Sequence, residues 1–380
     1  MKVLMLSPTL DGKNGWSSNA MNIAHGLRER SHEVISVTPT GTGEGDYPVI
    51  PRDMDFYSKP WLVPIIAWRV ASIIRKERPD IVHLIAEPYA LMVPFWPKGI
   101  AKKVVLTING TYAIFPLNKP FFRRLALAYY RRIQCFIPIS NYARTAVVAR
   151  LQEIDPAVAE HVDAHATLVH IGIKLPKKMQ ANPKESGSTK HILHVGGVKH
   201  RKGVLEAIEG CAAYKARSRT PFVLTIVGHI AEESAYVQRT KRRIEELGMT
   251  DQVRIAGSVS AEELDRCYSE ADVFLLPVNT EPAYFEGFGI VYIEANARGV
   301  PCIGPMTSGA AEAIKEDVSG YHVDPANPEL IAESLVKILD KNLIDPEKCI
   351  AWAKTHDTVT RTAEIEAVYE QFLQSSAHAA

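Results

Sequence analysis

Residues 191–228 read HILHVGGVKHRKGVLEAIEGCAAYKARSRTPFVLTIVG. Two runs, 191–197 and 222–228, are rich in Val, Ile and Leu, and between them residues 203–217 follow a helical pattern. Strands that are apolar throughout, separated by helices, argue for a parallel sheet covered on both faces. The pattern extends in both directions. Downstream, strands are expected at 252–257, 273–277 and 301–304, with helices around 232–247, 288–298 and 327–340. Upstream, strands are expected at 3–6, 33–37, 81–84, 104–108, 135–138 and 167–170, with helices at 17–30, 60–76, 120–133 and 142–151. The stretch PKKMQANPKESGSTK, residues 176–190, interrupts the alternation with Pro, Gly, Ser and Lys and reads as a linker.

The expected fold class is therefore α/β, with two doubly wound, Rossmann-like parallel-sheet domains facing a cleft. The expected boundaries are 1–178 for the first domain, 179–190 for the linker and 191–356 for the second domain. A helix over 357–380 is expected to pack back at the domain junction, with Ile365, Val368, Tyr369 and Phe372 on its apolar face. A length of 380 residues suits two domains. With 46% hydrophobic and 23% charged residues, disordered, collagen-like and disulfide-scaffold classes fall away.

The five cysteines are scattered without C-x-x-C spacing, which fits a reducing compartment and gives no thiol zinc site. The opening MKVLMLSPTLDG has too short an apolar run for a signal peptide, and no charge-free run is long enough to span a bilayer. A cytoplasmic location is expected. The net charge of +1 hides an asymmetry: residues 1–184 hold 24 basic and 14 acidic side chains, while 185–380 hold 20 and 29. No acid occurs from 88 to 152, against ten Lys and Arg. No nucleic-acid motif accompanies these cations, so a nucleic-acid partner is not expected.

Ligands of open parallel sheets collect beyond the carboxyl ends of the strands. The loop SPTLDGKNGWSS after the first strand offers Gly12 and Gly15 ahead of a helix. The loop HVGGVKHRKG, residues 194–203, joins Gly196, Gly197 and Gly203 to Lys199, Arg201 and Lys202. Glycines with fixed cations at a strand end suit a diphosphate. In LLPVNTEPAYFEGFGIVYIEANARGVP, residues 275–301, Glu286 precedes a helix and Glu294 lies eight residues on within it. Carboxylates near bared helix amides suit a polyhydroxylated ligand, whose hydroxyls donate to charged acceptors. Spacing alone leaves open that Glu286 is a cap and Glu294 a solvated side chain.

The pattern E-G-F-G-x4-E-A-x-A-x-G-x-P resembles the E-x7-E region of retaining GT-B glycosyltransferases of family 4. The order G-G-x4-K-G at 196–203, IVGH at 226–229, VRIAGSVSAEEL at 253–264 and ADVFLLP at 271–277 resembles that family's second domain. LRERSHEV, RPDIVHL and PISNYAR resemble its first domain more loosely. The resemblance implies transfer of a sugar from a UDP-, GDP- or ADP-sugar to an acceptor hydroxyl with retention, without a metal or other cofactor. It assigns donor-sugar hydroxyls to Glu286, sugar and diphosphate contacts to Phe288 and Gly289, and the ribose to Glu294. It assigns the diphosphate to Lys202, with Gly196, Arg201 and the Gly12–Gly15 loop beside it, and the base to the backbone around Ser258.

Two positions depart from the family. Gly197 stands where it commonly has Arg, and Asn109 stands in the catalytic strand-end motif where it often has His. Asn109 can donate a hydrogen bond but cannot carry a proton at neutral pH. Two alternatives therefore stay open: a non-catalytic nucleotide-sugar-binding protein, and a nucleotide-sugar epimerase on the same fold.

Asp53-Met54-Asp55 reads as a solvated turn, Ser140 as a helix cap, and His161, His165 and His170 lack the further ligands of a zinc site. A wheel for 120–133 puts Phe122, Leu125, Ala126, Tyr129 and Ile133 on a core face. It puts Arg123, Arg124, Leu127, Tyr130 and Arg131 on a basic face. That second face suits an anionic or lipid-linked acceptor and peripheral contact with the inner face of a membrane; solvation, or pairing with the acidic second domain, is the bland alternative.

Overall fold

The computed structural model describes residues 1–10, 15–40, 45–52, 54–176, 179, 189–281 and 284–378. The chain divides into two compact units, Met1–Lys174 with Asp357–Ala380, and Leu175–His356. The first unit is built on β1 (Lys2–Leu6), β2 (Glu33–Pro39), β3 (Tyr47–Ile50), β4 (Ile81–Leu84), β5 (Val104–Ile108) and β6 (Phe136–Pro138). These strands are parallel, in the order β3-β2-β1-β4-β5-β6. The second unit holds β7 (Lys190–Val195), β8 (Phe222–Val227), β9 (Val253–Gly257), β10 (Val273–Leu275), β11 (Cys302–Pro305) and β12 (Gly320–Val323). Its order, β12-β11-β10-β7-β8-β9, is again all parallel.

Numbered within its own unit, each sheet has the order 3-2-1-4-5-6 of a doubly wound fold. The direction of winding reverses between β1 and β4 in one unit and between β7 and β10 in the other. At such a switch point the two connections leave the strand ends in opposite directions and open a crevice for ligands. Central strands are apolar because helices cover both faces: β4 and β5 are buried throughout, and so is β10.

Three local expectations need correction. β3 and β12 were not expected; both are four-residue edge strands, and Pro48 in one and Gly320 in the other dilute the strand signal. Residues 167–170 are not a sheet strand. They run beside β6, where Thr167 and Val169 donate their amides to Phe136 and Pro138, at 2.9 and 3.1 Å. The helix expected over 288–298 spans only Ile290–Asn296, entered from Gly289 at φ +77°. Most of the linker lies outside the described residues.

The Thr358–His378 helix belongs to the first unit. Its Ile365, Val368, Tyr369 and Phe372 are buried among Val3, Leu27 and Val105. The Tyr369 hydroxyl lies 2.6 Å from Nδ1 of the buried His83, whose Nε2 is 2.7 Å from the Thr107 hydroxyl. Burial pushes the His83 imidazole down to about 3, so it is neutral between these two hydroxyls.

Candidate active site

In the second unit β7 and β10 are hydrogen-bonded neighbours, so the loops that follow them lie side by side. Gly203 is the point of closest approach. It adopts φ +64°, and a Cβ there would fall 1.8 Å from the Pro277 carbonyl oxygen. Asn279, two residues beyond Pro277, then fastens the basic loop. Its amide donates to the Arg201 carbonyl at 3.0 Å, and its Nδ2 donates to the His200 carbonyl and to Glu206, each at 2.8 Å. From below, Nε2 of buried His194 donates to the Lys202 carbonyl at 2.8 Å. Burial holds His194 down at about 4, which keeps it neutral and fixes that donor.

With their backbone held on several sides, Arg201 and Lys202 turn their side chains onto Glu286. Lys202 Nζ is 2.7 Å from Glu286 Oε2, and Arg201 Nη1 donates to the same oxygen. The Arg201 guanidinium also lies over the Tyr284 ring, 5.4 Å from its centroid. Burial alone would raise the Glu286 carboxyl, but the charges and hydrogen bonds of Lys202 and Arg201 outweigh it and hold the group down at about 2. Burial lowers the Lys202 ammonium from its usual value, with Glu286 pulling the other way. The result is a charged carboxylate facing two desolvated cations at a strand end.

Glu294 has a different setting. It lies within the Ile290–Asn296 helix, accepts a 2.9 Å bond from the Tyr268 hydroxyl, and is pushed upward by burial. Arg298 donates to the Glu294 backbone carbonyl at 2.8 Å and covers the Tyr268 ring at 5.1 Å.

The fold thus brings together Gly196, Arg201, Lys202 and Glu286: a Cβ on Gly196 would touch the Lys202 stem at 3.2 Å. Glu294 follows on the helix, with Gly289 at its entrance. The Phe288 side chain is buried 5.6 Å from the His356 ring. Ser258 is exposed, just past the end of β9. Gly15 opens the Gly15–Glu29 helix in the first unit, with nothing among the described residues within 4 Å of a Cβ placed there. Gly12 and Asp53 lie outside the described residues.

Asn109 caps the carboxyl end of β5 in the first unit, and its side chain is engaged. Its Nδ2 donates to the Ile85 carbonyl at 2.7 Å and to Glu87 at 3.3 Å. The Asn109 and Gly110 amides donate to Glu87 Oε1 at 2.6 and 3.2 Å. Glu87 was missed by sequence reasoning. It follows β4 at the first unit's switch point, is 1% exposed, and burial lifts it to about 7 against the pull of these amides. The only sequence signal was an acid closely following an apolar strand.

Ser140 is a cap, accepting from the Ala143 amide at 3.0 Å. His161 and His165 bond the Ile133 and His161 carbonyls at 2.8 Å each. The basic face expected on 120–133 is engaged in part, with Arg124 exposed. Tyr130 is fully buried with its hydroxyl on the Ala113 carbonyl at 3.0 Å, Arg123 bonds the Leu117 carbonyl at 2.8 Å, and Arg131 pairs with Asp155.

Comparison with known proteins gives two family matches: "Glycosyltransferase Family 4" over residues 14–161 and "Glycosyl transferases group 1" over 177–356. A GDP-mannose-dependent alpha-(1-6)-phosphatidylinositol monomannoside mannosyltransferase of Mycobacterium tuberculosis is 32% identical over 118 residues, 30% of this chain and 30% of that protein. The protein of the same description from Mycolicibacterium smegmatis is 26% identical over 307 residues, 76% of this chain and 73% of that one. Among solved structures, the Anabaena protein HepE in complex with UDP and glucose superposes with a TM-score of 0.69 at 17% identity, covering 98% of this chain and 100% of that chain. That likeness extends the two-domain α/β architecture over nearly the whole sequence.

Proposed function

The chain belongs to the GT-B glycosyltransferases of the family 4 kind, and on that premise we propose that it transfers a sugar from a nucleotide-sugar donor to an acceptor hydroxyl with retention and without a metal. The observation that supports this reading most is Glu286 clamped by Arg201 and Lys202 at a switch point. In this reading the donor diphosphate takes the two cations, and Glu286, released from part of its pairing, accepts the sugar hydroxyls. Negative charge then grows on the leaving diphosphate, where cations held in advance by Asn279 and His194 act most strongly. The diphosphate helps take the acceptor proton through an oxocarbenium-like state. Glu294 takes the ribose hydroxyls, and the backbone around Ser258 takes the base. The fixed positive charge that a metal would otherwise bring to the diphosphate comes from the loop itself.

The relatives from Mycobacterium tuberculosis and Mycolicibacterium smegmatis are described as acting on a phosphatidylinositol mannoside with GDP-mannose, which supports an anionic or lipid-linked acceptor here. HepE, bound to UDP and glucose, supports a nucleotide-diphosphate sugar as donor. The test is to incubate the chain with UDP-, GDP- and ADP-sugars and a panel of lipid-linked and soluble acceptors, with and without chelator. Product configuration is then read by NMR. An α-linked product from an α-linked donor, formed at the same rate with chelator, is expected; an inverted or chelator-sensitive product would overturn the mechanism. Gly197 and the engaged Asn109 side chain favour one rival, a nucleotide-sugar-binding protein without turnover. It would show saturable donor binding and no product with any acceptor.

A further inference from the structure

The Leu62–Glu77 helix packs against the Glu87–Phe95 segment that follows β4, with Val63, Ala67, Val70, Ala71, Ile73 and Ile74 all buried. Trp96, from the connection after β4, clasps that inner side by donating its indole N–H to the Ala67 carbonyl at 2.9 Å. The packing needs of the helix are therefore met from within. Its outer side is nonetheless apolar. Trp61, at the entrance, is 65% exposed, Ile65 60% and Trp68 71%. Positions 61, 65 and 68 lie one above another on a helix surface. Lone exposed hydrophobic residues are ordinary, but three large ones in register, two of them among the chain's five tryptophans, form a patch that calls for a partner.

The charges on the same side identify that partner. At 100° per residue, Arg69, Arg75 and Lys76 fall with Trp61, Ile65 and Trp68 inside an arc of roughly 120°. All three cations are exposed, and no acid shares the arc. Glu77, next along, is turned to Lys2 at 3.0 Å and to the Tyr47 hydroxyl, and it holds Lys76, which lies 3.8 Å from it and donates to the same hydroxyl at 2.9 Å; Arg69 and Arg75 are left as the outward cations. At the other end of the helix Phe121 is 65% exposed and packs edge-on against Phe122, which packs in turn against Tyr57, four residues before Trp61.

We propose that this face of the Leu62–Glu77 helix lies in the interface of an anionic lipid bilayer, with Trp61, Ile65 and Trp68 entering the headgroup–acyl boundary and Arg69 and Arg75 meeting lipid phosphates. Indoles favour that depth because one edge is apolar and the other a donor, and basic stems lie along the apolar boundary with their heads in the phosphate layer. The face is a convex helix side, suited to lying in a plane. A second copy fits less well, since a twofold contact gathers the cations of both chains at one seam while this face carries no acid to pair with them. The assignment moves the expected membrane contact from the partly engaged face of 120–133 to the helix of 62–77. It deepens the lipid-linked-acceptor reading and rests on it for its purpose, while the binding itself can be measured with no donor or acceptor present.

The full chain is floated with phosphatidylcholine vesicles and with vesicles containing roughly a third phosphatidylglycerol, at low and moderate salt. Binding to the anionic vesicles alone is expected, with a blue shift of tryptophan emission. Trp61→Ser/Trp68→Ser should reduce partitioning by roughly tenfold or more, and Arg69→Gln/Arg75→Gln by about fivefold per charge removed. Circular dichroism and melting of each variant, matched to the parent, show that the fold is kept. No anionic binding at low salt, binding indifferent to the tryptophans, or tryptophan-dependent self-association without vesicle binding would each overturn the proposal. Vesicle binding without sugar transfer would leave this face standing and refute the transferase reading; transfer without vesicle binding would do the reverse.

Discussion

Replacing Glu286 with Gln removes one negative charge and leaves Arg201 and Lys202 facing a neutral amide. The carboxyl is held at about 2 against an ordinary 4.5, with its side chain only 17% exposed. At about 1.4 kcal/mol per pKa unit, that depression corresponds to about 3 kcal/mol of stabilisation. A depressed carboxylate contributes fully above its unfolded value and loses the contribution as pH falls through the folded one. The deficit of Glu286→Gln should therefore be full at neutral pH and shrink as pH drops from 4.5 toward 2. For a unit of this size it amounts to a fall of roughly 6–12 °C in melting temperature.

Calorimetry resolves the second unit's transition by its response to nucleotide. The same substitution frees two cations for a diphosphate, so UDP or GDP should bind the variant as tightly as the parent or more so. Turnover with the sugar donor should drop roughly ten- to hundredfold for one lost charge-assisted hydrogen bond. An unchanged melting temperature at pH 7 would refute the ion-pair reasoning. A loss of nucleotide affinity that parallels the loss of turnover would refute the division between sugar and diphosphate.

Glu294→Ala should weaken binding of the bare nucleotide roughly tenfold or more while Tyr268→Phe, which removes only its hydrogen-bond partner, weakens it less; titration calorimetry separates the two. Gly203→Ala should cost at least about 2 kcal/mol, because its Cβ meets the Pro277 carbonyl in a left-handed conformation. Gly197→Ala, whose Cβ stands 3.4 Å from the His229 carbonyl, should stay within about 0.5 kcal/mol; equal melting losses would refute the tight loop junction. Glu87, raised by burial to about 7, adds stability in full below 4.5 and loses it as pH climbs through 7. The parent should therefore lose about 3 kcal/mol relative to Glu87→Gln between pH 4.5 and neutrality, read from melting curves of both; parallel curves would mean that Glu87 is not held protonated.

The second unit was the more legible because its chemistry sits in backbone-defined loops. Glycines at 196, 197, 203, 287 and 289, with cations and a carboxylate at fixed offsets, leave a pattern in the sequence itself. What the sequence did not reveal was the partner of each side chain. Nothing in G-G-x4-K-G says that Arg201 and Lys202 converge on one oxygen of Glu286, because that contact crosses 84 and 85 residues and depends on β7 lying beside β10. The helical wheel of 120–133 fell short at Tyr130 for the same reason. It found Phe122, Ala126, Tyr129 and Ile133 facing the core, but periodicity cannot show that Tyr130 is also covered. In the helix of 62–77 both stripes are apolar, and only packing shows that the Val63–Ala67–Val70 stripe is the inner one.

The two switch points also separate by charge state. The connections after β4 and after β10 hold the same place in their sheets, and each carries a buried or half-buried glutamate: Glu87 in one, Glu286 in the other. Glu87 faces the amides of Asn109 and Gly110, dipoles that cannot offset the cost of desolvating a charge, and it rises to about 7. Glu286 faces two full cations, which more than offset that cost, and it falls to about 2. Dipoles against burial leave a carboxyl that exchanges its proton near neutral pH; cations against burial leave a permanent charge. In the proposed reading a donor therefore meets a Glu286 carboxylate whose charge is the same across the physiological range. Any pH response near neutrality that comes from a carboxyl at a switch point has to enter through the first unit, at the Glu87–Asn109 turn.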